Sequence, residues 1–274
     1  MTADEVSIHP TAVVHPQAQL DAGVFVGPYC VIGPEVTIGK GTCLEANVHI
    51  VGWTTIGEEC RFSPYSSIGT EPQDLAYKGE KTFVKIGHRN IFREFITVNR
   101  GTPKGGGLTT IGDDNYFMAY SHIAHDCQVG SHTVFINGAT LAGHVRIDDY
   151  ATVGAFSAVH QFCRVGKYAF IGGYSVITQD VCPYLRVAGS RPTLLYGVNA
   201  IGLRRHGFSR EKIRNVKMMI KFLFYSELNT SQALERIKQE VEPGPEREEI
   251  LTFVQNSKRG LVKKVAERWA ENWE

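Results

Sequence analysis

The sequence predicts a mainly β fold, a solenoid of short strands followed by a small α-helical C-terminal domain, and three observations carry that reading. Every sixth residue from Ile111 to Ile177 is large and apolar, among them Phe117, Ile123, Val129, Phe135 and Leu141. Two places before each stands a compact residue, from Thr109 through Ser121, Cys127 and Ala139 to Ser175. Neither an α-helix nor a sandwich strand repeats every six residues, so the pattern is that of a hexapeptide β-helix whose strands bend at regular corners. Beyond Ile177 the period of six ends, and apolar residues recur at helical spacing instead.

Taken in order, the hexad register starts at Ile8 and runs without a slip through Val14, Val26, Ile38 and Ile50 to Ile68, with compact partners from Ala12 to Ser66. Glycine often follows the apolar residue, at Gly27, Gly33, Gly39, Gly57 and Gly69, which reads as a corner needing unusual backbone angles. The register breaks at 70–83 (TEPQDLAYKGEKTF) and, after resuming at Ile86, breaks again at 99–108 (NRGTPKGGGL). Insertions in a solenoid leave through a corner and often help to build a binding face. The first carries Asp74, Tyr77, Lys78, Glu80 and Lys81. In the second, a hexad strand and no helix follows Gly105-Gly106-Gly107, which argues against a phosphate-cradling loop and for a plain flexible tip.

Pro183 and Pro192 mark a transition, and the division is placed between a solenoid at 1–190 and a helical domain at 191–274. Ser209 is expected to cap a helix bearing Ile213, Val216, Ile220, Leu223 and Phe224 on one face. Ser231 is expected to cap a second with Leu234, Ile237 and Val241, and Gly244-Pro245 to open a third. Leu261, Val265 and Trp269 suggest a fourth after Gly260. Such helices would cover the open end of the solenoid, whose strand edges are otherwise exposed.

The composition, 43% hydrophobic and 21% charged, is that of an ordinary soluble chain, and a net charge of +1 gives no general attraction to nucleic acid or membrane. The first residues lack a basic and apolar leader, and no apolar run approaches the ~18 residues of a membrane span. The reading is a cytoplasmic protein without membrane insertion. Cys30, Cys60, Cys127 and Cys163 stand on the compact register, where a thiol acts as apolar filler. Cys43 and Cys182 lie off it, and no Cys-x-x-Cys spacing occurs.

Three hexads make one triangular turn, so residues 18 apart are neighbours at roughly the 4.7–4.9 Å spacing of paired strands. That winding stacks His125, Gly143 and Gln161, with Asp126, His144 and Phe162 in the adjoining column, His160 beside Gln161 and His122 just before. Read singly, a corner histidine such as His9, His15 or His49 is a solvated polar side chain; convergence on one edge points to chemistry. An imidazole titrating near pH ~6.5 can take a proton from a hydroxyl when a carboxylate or carbonyl holds its other nitrogen. Asp126 or another nearby acceptor could hold His125, and Gly143, with no side chain to shield its N–H, is a candidate donor to an oxyanion. A base and such a donor one strand spacing apart suit acyl transfer to a hydroxyl.

The segments PQDL, NRGT, SHIAHDCQVG (121–130), AGHVRI (142–147), GAFSAVHQFCRVG (154–166) and GVNAIGLRRHGFSRE (197–211) together resemble the bacterial acyl-carrier-protein-dependent UDP-N-acetylglucosamine 3-O-acyltransferases, which begin lipid A synthesis. The resemblance spans nearly the whole chain. It implies a left-handed parallel β-helix with a helical C-terminal domain, a homotrimer, and active sites between neighbouring subunits. It implies that His125 is the general base, oriented through Asp126 or its surroundings, and that Gly143 supplies the oxyanion N–H. Asp74, His122, His144, His160 and Gln161 would contact the nucleotide sugar or the acyl group. Asn199 and Arg205 match positions that hold the UDP moiety, and Gly173 matches an acyl-length ruler that leaves the groove open to a longer chain. No metal or cofactor is implied; the partners are acyl carrier protein and UDP-N-acetylglucosamine. Ala76 stands where well-known members carry a substrate lysine, with Lys78 two residues on, and His206 where many carry a second arginine.

Arg204, Arg205, Arg210, Lys212, Arg214, Lys217 and Lys221 form a basic run in a nearly neutral chain and are expected to steer the acidic carrier. Two rivals share the fold: a zinc hydratase of the γ-carbonic-anhydrase type, which would use the histidine edge as ligands, and a non-catalytic scaffold.

Overall fold

The structure, a computed structural model, describes residues 5–266. Strands of mostly two to four residues alternate with short corners and stack into three sheets of eleven, nine and eight strands. Called here the first, second and third sheets, they form the sides of a triangular prism. The register is the one the hexads demand: Gln128 lies beside Arg146 and Val129 beside Ile147, and every pairing is parallel until the final hairpin of Leu185–Ala188 with Leu194–Val198. Trp53 lies beside Phe83, and Phe83 beside Leu108, so the insertions lengthen two turns by twelve and seven residues without disturbing the stack. Both leave between a strand of the second sheet and one of the third, which is the corner that carries His125.

The hexad residues fill the prism. Phe62, Phe92 and Phe117 are fully buried and stack face to face with ring centroids 4.6 and 4.7 Å apart. Burial of such a ring is worth about 1.5–3 kcal/mol. At the inner corners small polar side chains bridge successive turns, as where the Thr133 hydroxyl donates to Asn115 Oδ1 at 2.7 Å, which satisfies that buried acceptor, while Asn115 Nδ2 is left without a partner. Cys30, Cys60, Cys127, Cys163 and Cys182 are buried and all six thiols are free; burial pushes the Cys127 thiol up to about 12, which leaves it an inert filler.

The glycines that follow the apolar residue have a different cause from the expected one. A Cβ on Gly27 would lie 2.4 Å from the Glu45 carbonyl oxygen, and one on Gly57 2.6 Å from Gly87, so the next turn leaves them no room. Of the five, only Gly69 has positive φ. The left-handed residue is the third of each corner and is often bulky: Asp126 (φ 60°), His144 (62°), Phe162 (66°), Tyr150 (60°) and Tyr168 (56°).

Helices α1 (Ala200–Arg205), α2 (Arg210–Phe224), α3 (Thr230–Glu240) and α4 (Pro245–Gln255) follow the hairpin. Ser209 caps α2 through the Lys212 N–H, and Ile213, Val216, Ile220 and Leu223 face inward as their spacing requires. The cap of α3 is Asn229 rather than Ser231, because Asn229 and Gln232 exchange side-chain-to-backbone bonds in a capping box that Ser231 has no partner to form. Among the described residues no helix follows Gly260. Asp180 donates its N–H to the Gly260 carbonyl, Val262 donates to Asp180 and Ala266 to Leu195, so this segment is captured as an extended strip on the end of the solenoid. Trp269 lies outside the described residues. α1, capped by Asn199, sits in the stretch that the sequence left as a transition. Among the described residues no helix is long and apolar enough to cross a membrane.

Candidate active site

The winding brings the histidine edge together. His144 donates its N–H to the His125 carbonyl and Phe162 donates to Gly143, so residues 125, 143 and 161 share the corner between the second and third sheets. Asp126 is 5% exposed. Its Oδ2 accepts from His125 Nδ1 at 2.8 Å. A carboxylate can only accept, so the ring proton sits on Nδ1 and the Nε2 lone pair is free to act as a base. Thr102 completes the carboxylate's shell, its N–H donating to Oδ1 at 2.8 Å and its hydroxyl to Oδ2 at 2.6 Å. The Asp126 N–H in turn donates to Thr109 Oγ1.

Gly143 lies directly under the His125 ring. A Cβ there would stand 2.4 Å from His125 Cε1 and 2.7 Å from Nε2, so any side chain would evict the imidazole. His144 meets His125 edge-on at 5.1 Å between centroids and stacks on Phe162 at 4.5 Å. Burial pushes His144 below the usual histidine range, against the pull of Asp126. His122, bonded through Nδ1 to Thr97 Oγ1 at 2.7 Å, is lowered by burial and then by His125. Both are therefore neutral at neutral pH, leaving hydrogen bonding rather than charge as their contribution.

Asp74 reaches this corner from the first insertion and acts electrostatically on His144. The buried Arg100 guanidinium holds that insertion down, donating to the Gly69 carbonyl at 3.0 Å and to the Tyr77 hydroxyl at 3.1 Å and pairing with Glu71 at 3.3 Å. His160 and Gln161 are exposed on the next turn, where His160 Nδ1 lies 3.3 Å from Arg259 Nη2 of the C-terminal strip.

Three expected residues do not join this cluster within one chain. Gly173 is on the corner between the first and second sheets, beside the stacked Phe156 and Tyr174. Asn199 spends its side chain on local structure at the third corner, where Nδ2 donates to the Tyr168 carbonyl and Oδ1 caps α1. Arg205 is exposed in the last turn of that helix, next to His206, which packs edge-on to Tyr150 and Tyr168. The basic run is exposed, though Lys212 is paired with Glu246 at 2.8 Å. Thr102, Arg100 and Thr97 also build this site, and no hexad position marks them in the sequence. The only pointer to Thr102 was that the NRGT segment enters the corner just ahead of the turn carrying Asp126.

His125, Asp126 and His144 present donor atoms within 4.8 Å of one another, a set that could contact a metal ion. The Asp126 oxygen facing both rings is already taken by Thr102 and His125, and His122 by Thr97, so the pattern is that of an oriented base rather than an open ligand set.

Comparison with known proteins agrees with this chemistry. Residues 180–262 match the family described as UDP N-acetylglucosamine O-acyltransferase, domain 2, and residues 108–143 match the bacterial transferase hexapeptide repeats. The acyl-[acyl-carrier-protein]–UDP-N-acetylglucosamine O-acyltransferase of Thermodesulfovibrio yellowstonii is 47% identical over 93% of this chain and 99% of its own. Among solved structures, LpxA from Acinetobacter baumannii is 42% identical with a TM-score of 0.90, covering 93% of this chain and 99% of its own. The UDP-N-acetylglucosamine acyltransferase of Francisella novicida is 40% identical with a TM-score of 0.91, covering 97% and 99%. The fold is accordingly the left-handed parallel β-helix expected from the sequence, and the hydratase reading finds no support in these relatives. On identity, coverage and fold, the chain belongs to the acyl-[acyl-carrier-protein]–UDP-N-acetylglucosamine O-acyltransferase family.

Proposed function

We propose that this protein transfers a (3R)-hydroxyacyl group from acyl carrier protein to the 3-hydroxyl of UDP-N-acetylglucosamine, the first step of lipid A synthesis, without metal or cofactor. The observation that carries the reaction class is the His125 ring held by Asp126 on one side and lying over Gly143 on the other. His125 Nε2 takes the proton of the sugar hydroxyl while its oxygen attacks the thioester carbonyl. Asp126 fixes the tautomer and stabilises the imidazolium that forms. Negative charge moves to the carbonyl oxygen, where the Gly143 N–H donates to it. Collapse breaks the carbon–sulfur bond, and the imidazolium proton passes to the departing thiolate. A positioned base contributes roughly 10²–10⁴-fold and an oxyanion donor about 10²–10³-fold.

Asp74, His122, His144, His160 and Gln161 are assigned to contacts with the sugar and the acyl chain. Gly173 and Asn199 lie on other corners and Arg205 on α1, so a site that includes them takes more than one copy of the chain, which supports the homotrimer. An exposed ridge of Tyr65, Phe95 and Tyr120, stacked at 5.0 and 4.9 Å, supports the same assembly. The exposed cations of α2, chiefly Arg214, Lys217 and Lys221, would steer an acidic carrier in the cytoplasm. The test is product analysis by mass spectrometry after incubation with hydroxyacyl carrier protein and UDP-N-acetylglucosamine. An O-acylated nucleotide sugar is expected; no acylated product would reject the reading.

A further inference from the structure

The NRGTPKGG insertion, whose glycine-rich tip reads from sequence as a flexible loop, is built against the carboxylate of Asp126. Thr102 is 3% exposed and donates two hydrogen bonds to that carboxylate, one to each oxygen. Its side chain also accepts from the Gly105 N–H at 3.2 Å, which closes the short 3₁₀ turn Pro103–Gly105 over the same group. A Cβ on Gly105 would stand 2.0 Å from Asp126 Cγ and 2.2 and 2.3 Å from its two oxygens, so the Gly105 backbone itself is the wall that keeps water off the carboxylate. The remaining groups facing the pair are His144, whose Nε2 is 3.7 Å from Asp126 Oδ2, His122 on the preceding strand, and Asp74 from the first insertion. None of them donates a hydrogen bond to the Asp126 carboxylate at the distances Thr102 does.

We propose that Thr102 is a positioning residue for the reaction: it locks the Asp126 carboxylate in the rotamer that holds His125 Nδ1–H, with Gly105 sealing it from solvent. This rests on the reading of His125 as the base. The physical reason is that a buried carboxylate with a free rotor and open lone pairs would share its acceptors with water and let the imidazole swing. Two fixed donors leave a single orientation, in which Oδ2 faces the ring. At metal sites, bonds that orient a ligand from behind control about 10–100-fold in activity, and the same scale is taken for a carboxylate orienting a base.

Steady-state kinetics of Thr102→Val, with Thr102→Ser as the conservative control, test it. Valine keeps the shape and removes the hydroxyl donor; serine keeps the donor. Thr102→Val is expected to lower kcat by about tenfold or more, with the KM for nucleotide sugar and for acyl carrier protein unchanged. Thr102→Ser is expected to restore kcat to within about threefold. In ¹⁵N-histidine-labelled protein, the His125 Nδ1 resonance should move in the valine variant and return in the serine variant. A folded Thr102→Val enzyme with wild-type kcat and an unmoved Nδ1 resonance would overturn the proposal. So would failure of both variants to fold, which would assign Thr102 to the architecture alone. A full-speed His125→Ala enzyme would instead overturn the base on which the proposal rests, so the two failures are distinguishable.

Discussion

Two corners of the same prism carry an imidazole beside an aspartate, and only one of them is built for catalysis. At the corner between the second and third sheets, His125 and Asp126 are 2.8 Å apart, with side chains 15% and 1% exposed. At the corner between the third and first sheets, His132 Nε2 is 4.0 Å from Asp114 Oδ2, with side chains 44% and 28% exposed. Asp114 belongs to Arg89, whose Nε and Nη2 take one oxygen each at 2.7 and 2.8 Å and hold its carboxyl below the usual carboxylate range. His132 stacks on Tyr150 of the next turn at 4.7 Å, whereas His125 lies over a glycine. The two aspartates hold the same left-handed place in their corners, but His125 adjoins Asp126 within one turn, whereas His132 lies one turn on from Asp114, as His144 does from Asp126. The difference is that one carboxylate is buried, is bound by neutral donors and is free to orient a ring, while the other is half-buried and already neutralised by a cation.

The sharpest way to break this contrast is to remove both imidazoles in turn. His125→Ala is expected to lower kcat by about 10³-fold, within the range of a positioned base, with the fold intact because the ring is outside the core. His132→Ala should leave kcat within about twofold, since an exposed residue paired this weakly contributes little. Equal losses in both variants would erase the distinction. Next in size, Gly143→Ala should cost about 10²-fold in kcat, because the added methyl displaces the imidazole and screens the N–H; a variant with normal kcat would remove Gly143 from the mechanism.

The smallest effect is on stability. Burial lowers both His122 and His144, so the unfolded chain binds protons first as the pH falls below its ordinary value of about 6.5. Stability contributed by keeping them neutral is fully present above that pH. It is lost as the pH drops from there through the lowered native values. Thermal unfolding followed from pH 7.5 to 5 should show a falling midpoint, and the fall should be shallower in His122→Asn. An unchanged slope in that variant would contradict the assignment.

The difference between the corners also marks how far the sequence could be read. Period six and a turn of 18 placed His125 against Gly143 and His144 beside Phe162, because in a solenoid neighbours in space are neighbours in register. The caps and strips at the C-terminal end were less legible: Asn229 instead of Ser231 depends on a reciprocal bond with Gln232, and the 261–266 strip depends on capture by Asp180 and Leu195, neither of which a local period encodes. Thr102 was little more legible, for the same reason. Its partner lies 24 residues on, across an insertion whose length breaks the register that located everything else. Asn199 shows the opposite error of emphasis, since a residue matched to a ligand site spends its side chain on the cap of α1 in the single chain.

The central claim is that the buried pair, and not any other histidine of the prism, faces the reacting hydroxyl. A crystal structure of the protein with UDP-N-acetylglucosamine bound tests it most directly. The acceptor hydroxyl is expected within hydrogen-bond reach of His125 Nε2, about 2.6–3.2 Å. A sugar seated on another corner, or turned so that its hydroxyl faces away from His125, would contradict it.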